Sequence, residues 1–408
     1  MNILVITYWS YREALIQTYT LPYLEMIKKA NPDAQITLVT FEQSHLTLKL
    51  EEKHKELLKL KEKGIEWIAF PYFRFGIKSI LTVIWVILKL FFLVFSKKIR
   101  YIHAFGTPAG TIAYILKKLT FTRLVIDSYE PHAESMLENG EWAKSSKAYK
   151  ILSYFEKLQT RSAQHFIATS YKMKEYAKTR FGVDIKSFFV KPAGVDVHKF
   201  NPHLFDKKEV RSKFQIPEDA IVAVYIGKFG GIYYKEETFQ LLKAASDTWK
   251  EKFYAIIGYP IDRKEFEELV NQYQIPAQQV LFLSYVPHNQ VPEILAMADF
   301  AINPVKPVPT KRYCTSVKDG EYWAMELPVI IPPNISDDSD YIKDKKIGVI
   351  WENTTYEGCL KACHEMKVLL ESENLPQVKS EIRKLAIEVR AFENFEKIYR
   401  AIYSSNLS

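Results

Sequence analysis

Short runs of β-branched and aromatic residues alternate with helix-length stretches along this chain, and this alternation restricts the folds that the chain can adopt. In the first half, six runs read as buried strands: Asn2–Thr7, Gln35–Thr40, Ile65–Phe70, Ile99–His103, Leu124–Asp127 and His165–Ala168. Strands that are separated by helices form parallel sheets whose two faces are both covered. The first half therefore predicts an α/β domain.

The same pattern restarts after a polar stretch that ends near Asp219. Six further runs read as strands of a second sheet: Ile221–Ile226, Phe253–Ile257, Val280–Leu283, Phe300–Asn303, Val329–Ile331 and Gly348–Trp351. A chain of 408 residues is also long for one hydrophobic core. We predict two doubly wound domains, residues 1–192 and 193–384, with a hinge near Pro192–Pro202. The last helical stretch, Ser380–Tyr403, fits either domain.

The composition is that of an ordinary globular protein, with 48% hydrophobic and 25% charged residues. The net charge of +8 suits an anionic ligand, an anionic membrane or a plain solvated surface. Nucleic acid is not predicted as a partner, because the basic residues form no dense block or known motif. The three cysteines are too few for a disulfide framework, and the N-terminus has no basic signal-peptide region, so we expect a cytoplasmic protein.

One apolar run, Ile80–Phe95, is interrupted only by Thr82 and Lys89 and has basic residues on both sides. A membrane-spanning helix needs about 20 apolar residues, and this run is shorter and carries a charge. The run predicts a helix that lies in the inner-leaflet interface, with its lysines among the headgroups. A helix packed against a sheet is an equally good interpretation.

The clearest chemical signal is the stretch from residue 316 to residue 331. A short turn, Ser316 and Val317, leads into a helix that carries Lys318 and Glu321. Side chains three residues apart lie on one helix face, so these two charges are expected to point the same way. The free N–H groups and partial positive charge of a helix N-terminus bind phosphate. A diphosphate at these amides and a ribose on the Glu321 carboxylate would fit a nucleotide-activated donor.

A second candidate for donor binding directly follows the first strand of the second domain. Gly227 allows a ligand to approach the backbone, and Lys228 and Lys235 are placed to neutralise phosphate charge. The Gly-Lys-Ser/Thr ending of a P-loop is missing, so this is a generic anion-binding turn.

The loop after the first strand of the first domain is polar and aromatic and has no dinucleotide-binding glycine pattern. Ser10, Tyr11 and Arg12 in this loop suit an acceptor sugar. The alternative for Arg12 is an ordinary surface residue.

Two other loops of the first domain contribute acceptor-side candidates. Gly106 follows the fourth strand and allows close approach of a ligand, although a plain turn explains it equally well. Asp127, Glu130 and His132 follow the fifth strand, and three titratable groups there suit proton transfer or sugar binding. A structural role for the histidine remains the alternative.

No metal site is predicted. Asp338 and Asp340 form an Asp-x-Asp pattern, but they lie before a helix, where capping is the simpler role. Cys359, Cys363 and His364 have no second pair of ligands elsewhere in the chain.

Four segments together resemble the GT-B glycosyltransferases, in particular retaining glycosyltransferase family 4 (glycosyl transferases group 1). These are Phe166–Ser170 with Pro192–Asp196 and Phe200, the turn Val224–Lys235, the helix and strand Lys318–Ile330, and the C-terminal helical stretch. The resemblance implies two Rossmann-like domains that face a central cleft. It also implies a final helix, about residues 385–408, that packs back on the first domain.

The resemblance also assigns roles to residues. Glu321 would hold the nucleotide ribose, Lys228 and Lys235 the diphosphate, and His132 would stand near the transferred sugar. His132, Lys228 and Glu321 are thus the expected catalytic residues. Tyr313 departs from the family pattern, since a glutamate usually stands eight residues before Glu321.

The expected activity is sugar transfer from a nucleotide sugar to a glycan, lipid-linked or other acceptor. The resemblance implies retention of anomeric configuration. Independence of metals and cofactors is expected, because a departing diphosphate can be stabilised by lysines and a helix N-terminus. Two alternatives remain open: a nucleotide-sugar 2-epimerase of the same fold, and a catalytically silent sugar-nucleotide or glycan-binding subunit.

Overall fold

The structure, a computed structural model, describes residues 1–13, 15–259 and 262–404. The chain forms two compact units. Unit 1 consists of Met1–Pro192 together with the segment from Phe392 onward, and unit 2 consists of Ala193–Ala391.

The strands, numbered along the chain, are β1 (Asn2–Thr7), β2 (Gln35–Glu42), β3 (Ile65–Pro71), β4 (Tyr101–Phe105), β5 (Arg123–Ser128), β6 (His165–Ala168), β7 (Phe188–Val190), β8 (Ile221–Ile226), β9 (Phe253–Gly258), β10 (Val280–Leu283), β11 (Phe300–Ile302), β12 (Val329–Ile331) and β13 (Gly348–Ile350). The α-helices are α1 (Leu21–Ala30), α2 (Leu50–Glu62), α3 (Ile77–Ser96), α4 (Thr107–Thr120), α5 (His132–Glu138), α6 (Lys147–Ser162), α7 (Lys172–Phe181), α8 (Lys207–Lys213), α9 (Glu236–Trp249), α10 (Arg263–Gln272), α11 (Val291–Ala296), α12 (Val317–Ala324), α13 (Asp338–Lys345), α14 (Tyr356–Leu370), α15 (Leu375–Val389) and α16 (Glu396–Ser404).

Unit 1 contains a seven-stranded parallel sheet in the order β3-β2-β1-β4-β5-β6-β7. Strand β1 is central, and Val5 lies in register with Leu38 on one side and His103 on the other. Its apolar side chains are fully buried, as expected for a strand that is covered on both faces. The sequence did not predict β7, which is a three-residue, half-buried strand at the edge of this sheet.

Unit 2 contains a six-stranded parallel sheet in the order β10-β9-β8-β11-β12-β13. Alternate side chains of β8 enter two different hydrophobic clusters. Val222 and Val224 pack into one of them, and Ala223 and Tyr225 pack into the other. The sheet is therefore covered on both faces, which makes the unit doubly wound.

Near the C-terminus, the two units divide between Ala391 and Phe392, later than the predicted position of about residue 385. Residues 385–391 belong to unit 2, because Leu385 and Ala386 are buried in its core and Arg390 forms a buried ion pair with Asp338. The segment that returns to unit 1 begins at Phe392, and α16 packs there against α1. Residues 405–408 of the predicted final helix lie outside the described residues.

Both sheets have a topological switch point beside their first strand. In unit 2, β8 lies between β9 and β11, so the chain leaves β8 towards one side and β11 towards the other. Ligands of open α/β sheets bind at the carboxyl ends of strands at such a point. The segments that follow β8 and β11 are therefore where a ligand site of unit 2 is expected.

Candidate functional site

The turn after β8 is fixed to the segment after β11 by backbone hydrogen bonds. Tyr234 N–H donates to the Pro304 carbonyl, and Lys306 N–H donates to the Ile232 carbonyl, each at 2.8 Å. Gly230 has a φ of 79°, which lies in the left-handed region where glycine is favoured. These contacts hold the loop after β8 against the loop after β11 at the switch point.

Lys318, in the first turn of α12, extends towards this β8 turn. Its ammonium group donates to the Tyr233 hydroxyl at 3.1 Å and lies 4.3 Å from the centre of the Tyr233 ring. The side chain also fills the space beside Gly227, where an added Cβ would lie 2.3 Å from Lys318 Cε. Gly227 is thus needed to admit the lysine side chain.

Glu321, one turn further along α12, contacts a different loop. Its Oε1 lies 2.8 Å from Nε2 of His288, in the segment between β10 and α11. The Glu321 side chain is 11% exposed, whereas that of His288 is 50% exposed. Sequence analysis missed His288, since a single histidine in a polar loop gives no pattern that distinguishes it from a surface residue.

The buried side of α12 is anchored by a polar cluster at the end of β11. The Asn303 amide donates to both carboxylate oxygens of Asp319 at 2.8 Å. Burial, and next the neighbouring Asp338, raise the pKa of the Asp319 carboxyl. Asp338 itself pairs with the buried Arg390 guanidinium. These contacts fix α12 so that Lys318 and Glu321 project from its other side.

The N-terminus of α12 has no side-chain cap. Ser316 occupies the capping position, but its side chain makes no capping hydrogen bond, and its own N–H points to Asp338 Oδ2 at 3.4 Å. Val317 is 44% exposed at the first helical position. Tyr313 ends a short 3₁₀ helix, Pro309–Tyr313, that leads to this point.

The two lysines of the β8 turn differ in their surroundings. Lys228 is exposed, and its backbone carbonyl accepts a hydrogen bond from Tyr225. Lys235 forms an ion pair with Glu265 at 2.6 Å, and this hydrogen bond raises the pKa of its ammonium group. The charge of Lys235 is therefore already compensated, so Lys228 is the better placed of the two for an anion.

In unit 1, two of the three candidates after β1 are buried and structural. The Ser10 hydroxyl donates to the Phe41 carbonyl at 3.2 Å and accepts from the Gln43 N–H at 2.8 Å. The Tyr11 ring stacks on a tryptophan, its hydroxyl donates to a glutamate at 3.0 Å, and burial raises its pKa. Arg12 alone is exposed. Of these candidates, it is the one available to an acceptor.

Asp127, predicted as an acceptor-side residue, lies in a fully buried cluster. Its carboxylate is 2.8 Å from the Lys191 ammonium and 3.7 Å from His103 Nε2. Burial opposes ionisation of this carboxylate, but the Lys191 charge and His103 hold its pKa below the usual value. Burial lowers the pKa of Lys191 to about 8, and its ammonium lies 3.2 Å from the centre of the Tyr23 ring. Asp127 is therefore part of the core of unit 1.

Glu130 and His132 remain together at the end of β5. His132 begins α5, and its Nδ1 lies 3.6 Å from Glu130 Oε1. Gly106, after β4, has a φ of 79° and directly precedes α4, which explains the glycine as a turn residue. Beneath α5, the buried Glu156 carboxylate faces the Ala133 N–H at 3.5 Å. Burial raises the pKa of Glu156 to about 8.

Residues 206–377 match the family model described as Glycosyl transferases group 1. Solved structures with the same architecture include HepE of Anabaena in complex with UDP, with a TM-score of 0.73 at 15% identity, covering 99% of this chain and 100% of that one. A glycosyltransferase of Rickettsia africae gives 0.71 at 14% identity, covering 99% of each chain. The fold is GT-B, and the region that matches the group 1 model lies within unit 2. The prediction of this fold from the sequence is confirmed.

Sucrose-phosphate synthase of Thermosynechococcus elongatus gives a TM-score of 0.72 at 14% identity, with both chains covered completely. No curated protein matches this chain in sequence. The matched region, residues 206–377, includes the β8 turn, His288 and α12. All candidate donor residues therefore lie inside the matched region, whereas the candidates in unit 1 lie outside it.

Proposed function

We propose that this protein is a cytoplasmic glycosyltransferase that moves a sugar from a nucleotide-sugar donor to a glycan or lipid-linked acceptor. The observation that carries the proposal is the arrangement of the charged side chains of α12, which lies in the region matched by the group 1 model. One of its charged side chains, Lys318, extends into the β8 turn, and the other, Glu321, meets the loop after β10. A lysine and a glutamate on one side of a helix N-terminus suit a nucleotide, because the lysine can bind the diphosphate and the glutamate can accept hydrogen bonds from the ribose.

In this proposal the donor diphosphate lies at the N-terminus of α12 and the β8 turn. Uncapped N–H groups and the helix dipole attract anions, and Lys318 and the exposed Lys228 add positive charge. The ribose hydroxyls donate hydrogen bonds to the Glu321 carboxylate. They either replace His288 as its partner or bind beside it. Solved neighbours of the same fold contain UDP and UDP-glucose, which supports a nucleotide sugar as the donor class.

We propose transfer with retention and without a metal ion. The acceptor hydroxyl attacks the anomeric carbon from the side of the leaving group. As the new C–O bond forms, the bond to the diphosphate breaks, and the acceptor proton passes to the departing phosphate oxygen. The lysines and the helix N-terminus stabilise the charge that develops on that phosphate. Arg12, Glu130 and His132 are the unit 1 residues proposed to contact the acceptor or the transferred sugar.

The donor class is tested by titration calorimetry of the full chain with a panel of nucleoside diphosphates. We expect one base to bind most tightly, and a complete lack of binding across the panel would contradict the proposal. Transfer is then tested with the matching nucleotide sugar and an acceptor panel, using NMR to assign the anomer. Activity in excess EDTA tests independence of metal.

Tyr313 favours one second candidate, a sugar-nucleotide-binding subunit without transfer activity. The tyrosine stands where a glutamate is usual for the resembled family, and it ends the 3₁₀ helix that precedes α12. Such a subunit would bind a nucleoside diphosphate but release none from any donor and acceptor. A Tyr313→Glu variant that gains release activity would identify this candidate as the correct one.

A further inference from the structure

A continuous apolar stripe runs along the outer side of α3. Its members are between 47% and 79% exposed and recur at spacings of three and four residues: Ile77, Ile80, Leu81, Ile84, Leu88, Phe92 and Phe95. The opposite side of α3 is buried in unit 1 through Val86, Ile87, Leu90 and Val94. A surface helix normally presents polar residues outward, so an outward apolar stripe indicates a binding surface.

The chain segment that bears this stripe carries charge of a single sign, and the carboxylate just before it in sequence, Glu66, is paired with Lys97 beyond the end of α3. Residues 67–126, which include α3 and α4, contain nine lysines and arginines and no aspartate or glutamate. The rest of the chain has almost no net charge, because it contains 47 basic residues and all 48 acidic residues. The positive charge of the whole protein is therefore concentrated in the segment that bears the stripe.

Five of these basic residues lie at the ends of α3 or on its flank. Arg74 and Lys78 are exposed at the start of α3, and Lys98 and Arg100 are exposed after its end. Lys89 is on the flank, with its ammonium group 4.4 Å from the centre of the Trp85 ring. Long basic side chains beside apolar surface are suited to reach phosphate headgroups while the helix lies in the interface.

The end of α4 adds a second apolar contact on the same side of the sheet. Phe121 is 90% exposed and follows α4 in a left-handed conformation with a φ of 56°. Leu119, beside it, is 50% exposed, and Lys117 and Lys118 precede the pair. Helix α4 packs directly on α3, so these side chains extend the surface.

Helix α3 has 20 residues, and an 18-residue window of it has a mean hydropathy of 2.4, so it is long and apolar enough to cross a membrane. The topology of unit 1 excludes that arrangement in this fold. The helix connects β3 to β4, and both strands belong to one parallel sheet. A spanning α3 would place its two ends on opposite sides of the bilayer and would expose its buried face to lipid.

We propose that α3, with the end of α4, docks unit 1 on the surface of an anionic lipid bilayer, with the helix axis in the plane of the membrane. A second copy of the chain fits this surface less well. A two-fold interface brings the same patch of both copies together, so the basic residues would face one another. The proposal is independent of sugar transfer, because docking requires neither donor nor acceptor.

The experiment is flotation of the purified full chain with vesicles of phosphatidylcholine alone or of an equimolar mixture with phosphatidylglycerol. The test variant is L81Q/L88Q, in which two outward leucines of α3 become polar. The matched control is L58Q/L204Q, which changes two leucines of similar exposure, on α2 and in unit 2. Light scattering without lipid measures the oligomeric state of each protein.

We expect the unaltered chain and the control to float with the anionic vesicles, and the test variant to lose at least tenfold in partition coefficient. Binding to phosphatidylcholine alone should be weaker for all three proteins. Equal flotation of the test variant and the control would overturn the proposal, as would a lack of flotation of the unaltered chain. A dimer that L81Q/L88Q dissociates would assign the stripe to a second copy instead.

Discussion

The contact between Gly227 and Lys318 allows a direct test of the proposed donor site through a Gly227→Ala variant. The backbone of Gly227 does not adopt a positive φ, so alanine is compatible with its conformation. The new Cβ would lie 2.3 Å from Lys318 Cε and 2.9 Å from the Tyr225 hydroxyl. Carbon atoms in contact are about 3.5–4.0 Å apart, so the lysine side chain must move by more than about 1 Å.

The size of the effect follows from what the displaced lysine contributes. A hydrogen bond to a charged group contributes about 1.5–3 kcal/mol, and about 1.4 kcal/mol is a factor of ten in affinity. Lys318→Ala should therefore weaken nucleoside diphosphate binding by about 10- to 150-fold. Gly227→Ala keeps the ammonium group but misplaces it, so we expect about a tenfold loss. The unfolding free energy should fall by about 1.5 kcal/mol, the lower value for a hydrogen bond of a charged group, because the partly buried Lys318 loses its bond to Tyr233.

The assay is titration calorimetry of the full chain with its tightest nucleoside diphosphate, applied to a double-mutant cycle. If Gly227→Ala acts only by displacing Lys318, the glycine change should have little further effect once Lys318 is alanine. The double variant should thus bind like Lys318→Ala alone. Displacement of Lys318 is refuted as the cause if Gly227→Ala leaves the dissociation constant unchanged. It is also refuted if Gly227→Ala weakens binding equally in the presence of Lys318 and in the Lys318→Ala variant.

Three further outcomes are expected. Glu321→Ala should weaken nucleoside diphosphate binding by about 1–3 kcal/mol in calorimetry, and an unchanged dissociation constant would remove Glu321 from the site. Burial keeps Glu156 protonated in the folded state up to a pKa of about 8, so its contribution to stability should fall as pH rises from 4.5 to 8. Glu156→Gln should flatten that decline in denaturant titrations, and an identical pH slope in both proteins would contradict the assignment. Lys191→Met should cost about 3–5 kcal/mol of unfolding free energy, because Asp127 is left buried without its partner. Adding Asp127→Asn should recover most of that loss, and equal instability of the single and double variants would argue against the ion pair.

Much of the fold could be predicted because strand signals are local. Strands β1, β6, β8, β10 and β12 begin and end at the predicted residues. Each is a short apolar run that ends at polar or turn residues. Strands β1, β6, β8 and β12 are largely buried, whereas β10 is a half-buried edge strand with four consecutive apolar residues. Strand β7 was not predicted. Three half-buried residues at a sheet edge make too short a run to separate from a loop.

The candidate donor site was predicted only in part. The one-turn spacing placed Lys318 and Glu321 on one helix, and the structure adds that they contact two different loops. Those loops come from β8 and from the end of β10, and nothing in the local pattern relates them to α12. The partner of Glu321, His288, lies 33 residues away in sequence, so only the folded sheet brings the two together.

Asp127 shows why strand-end carboxylates are difficult to interpret from sequence. Such a residue either faces a ligand or pairs with a buried cation, and both roles occur at the carboxyl edge of a parallel sheet. Here the cation is Lys191, the residue directly after β7. Because β7 was not predicted, no strand was available to carry Lys191 to the same edge as Asp127. The missed strand and the misassigned carboxylate are therefore one error. Glu130, three residues further along the chain and outside β5, is partly exposed beside His132 and keeps its candidate role.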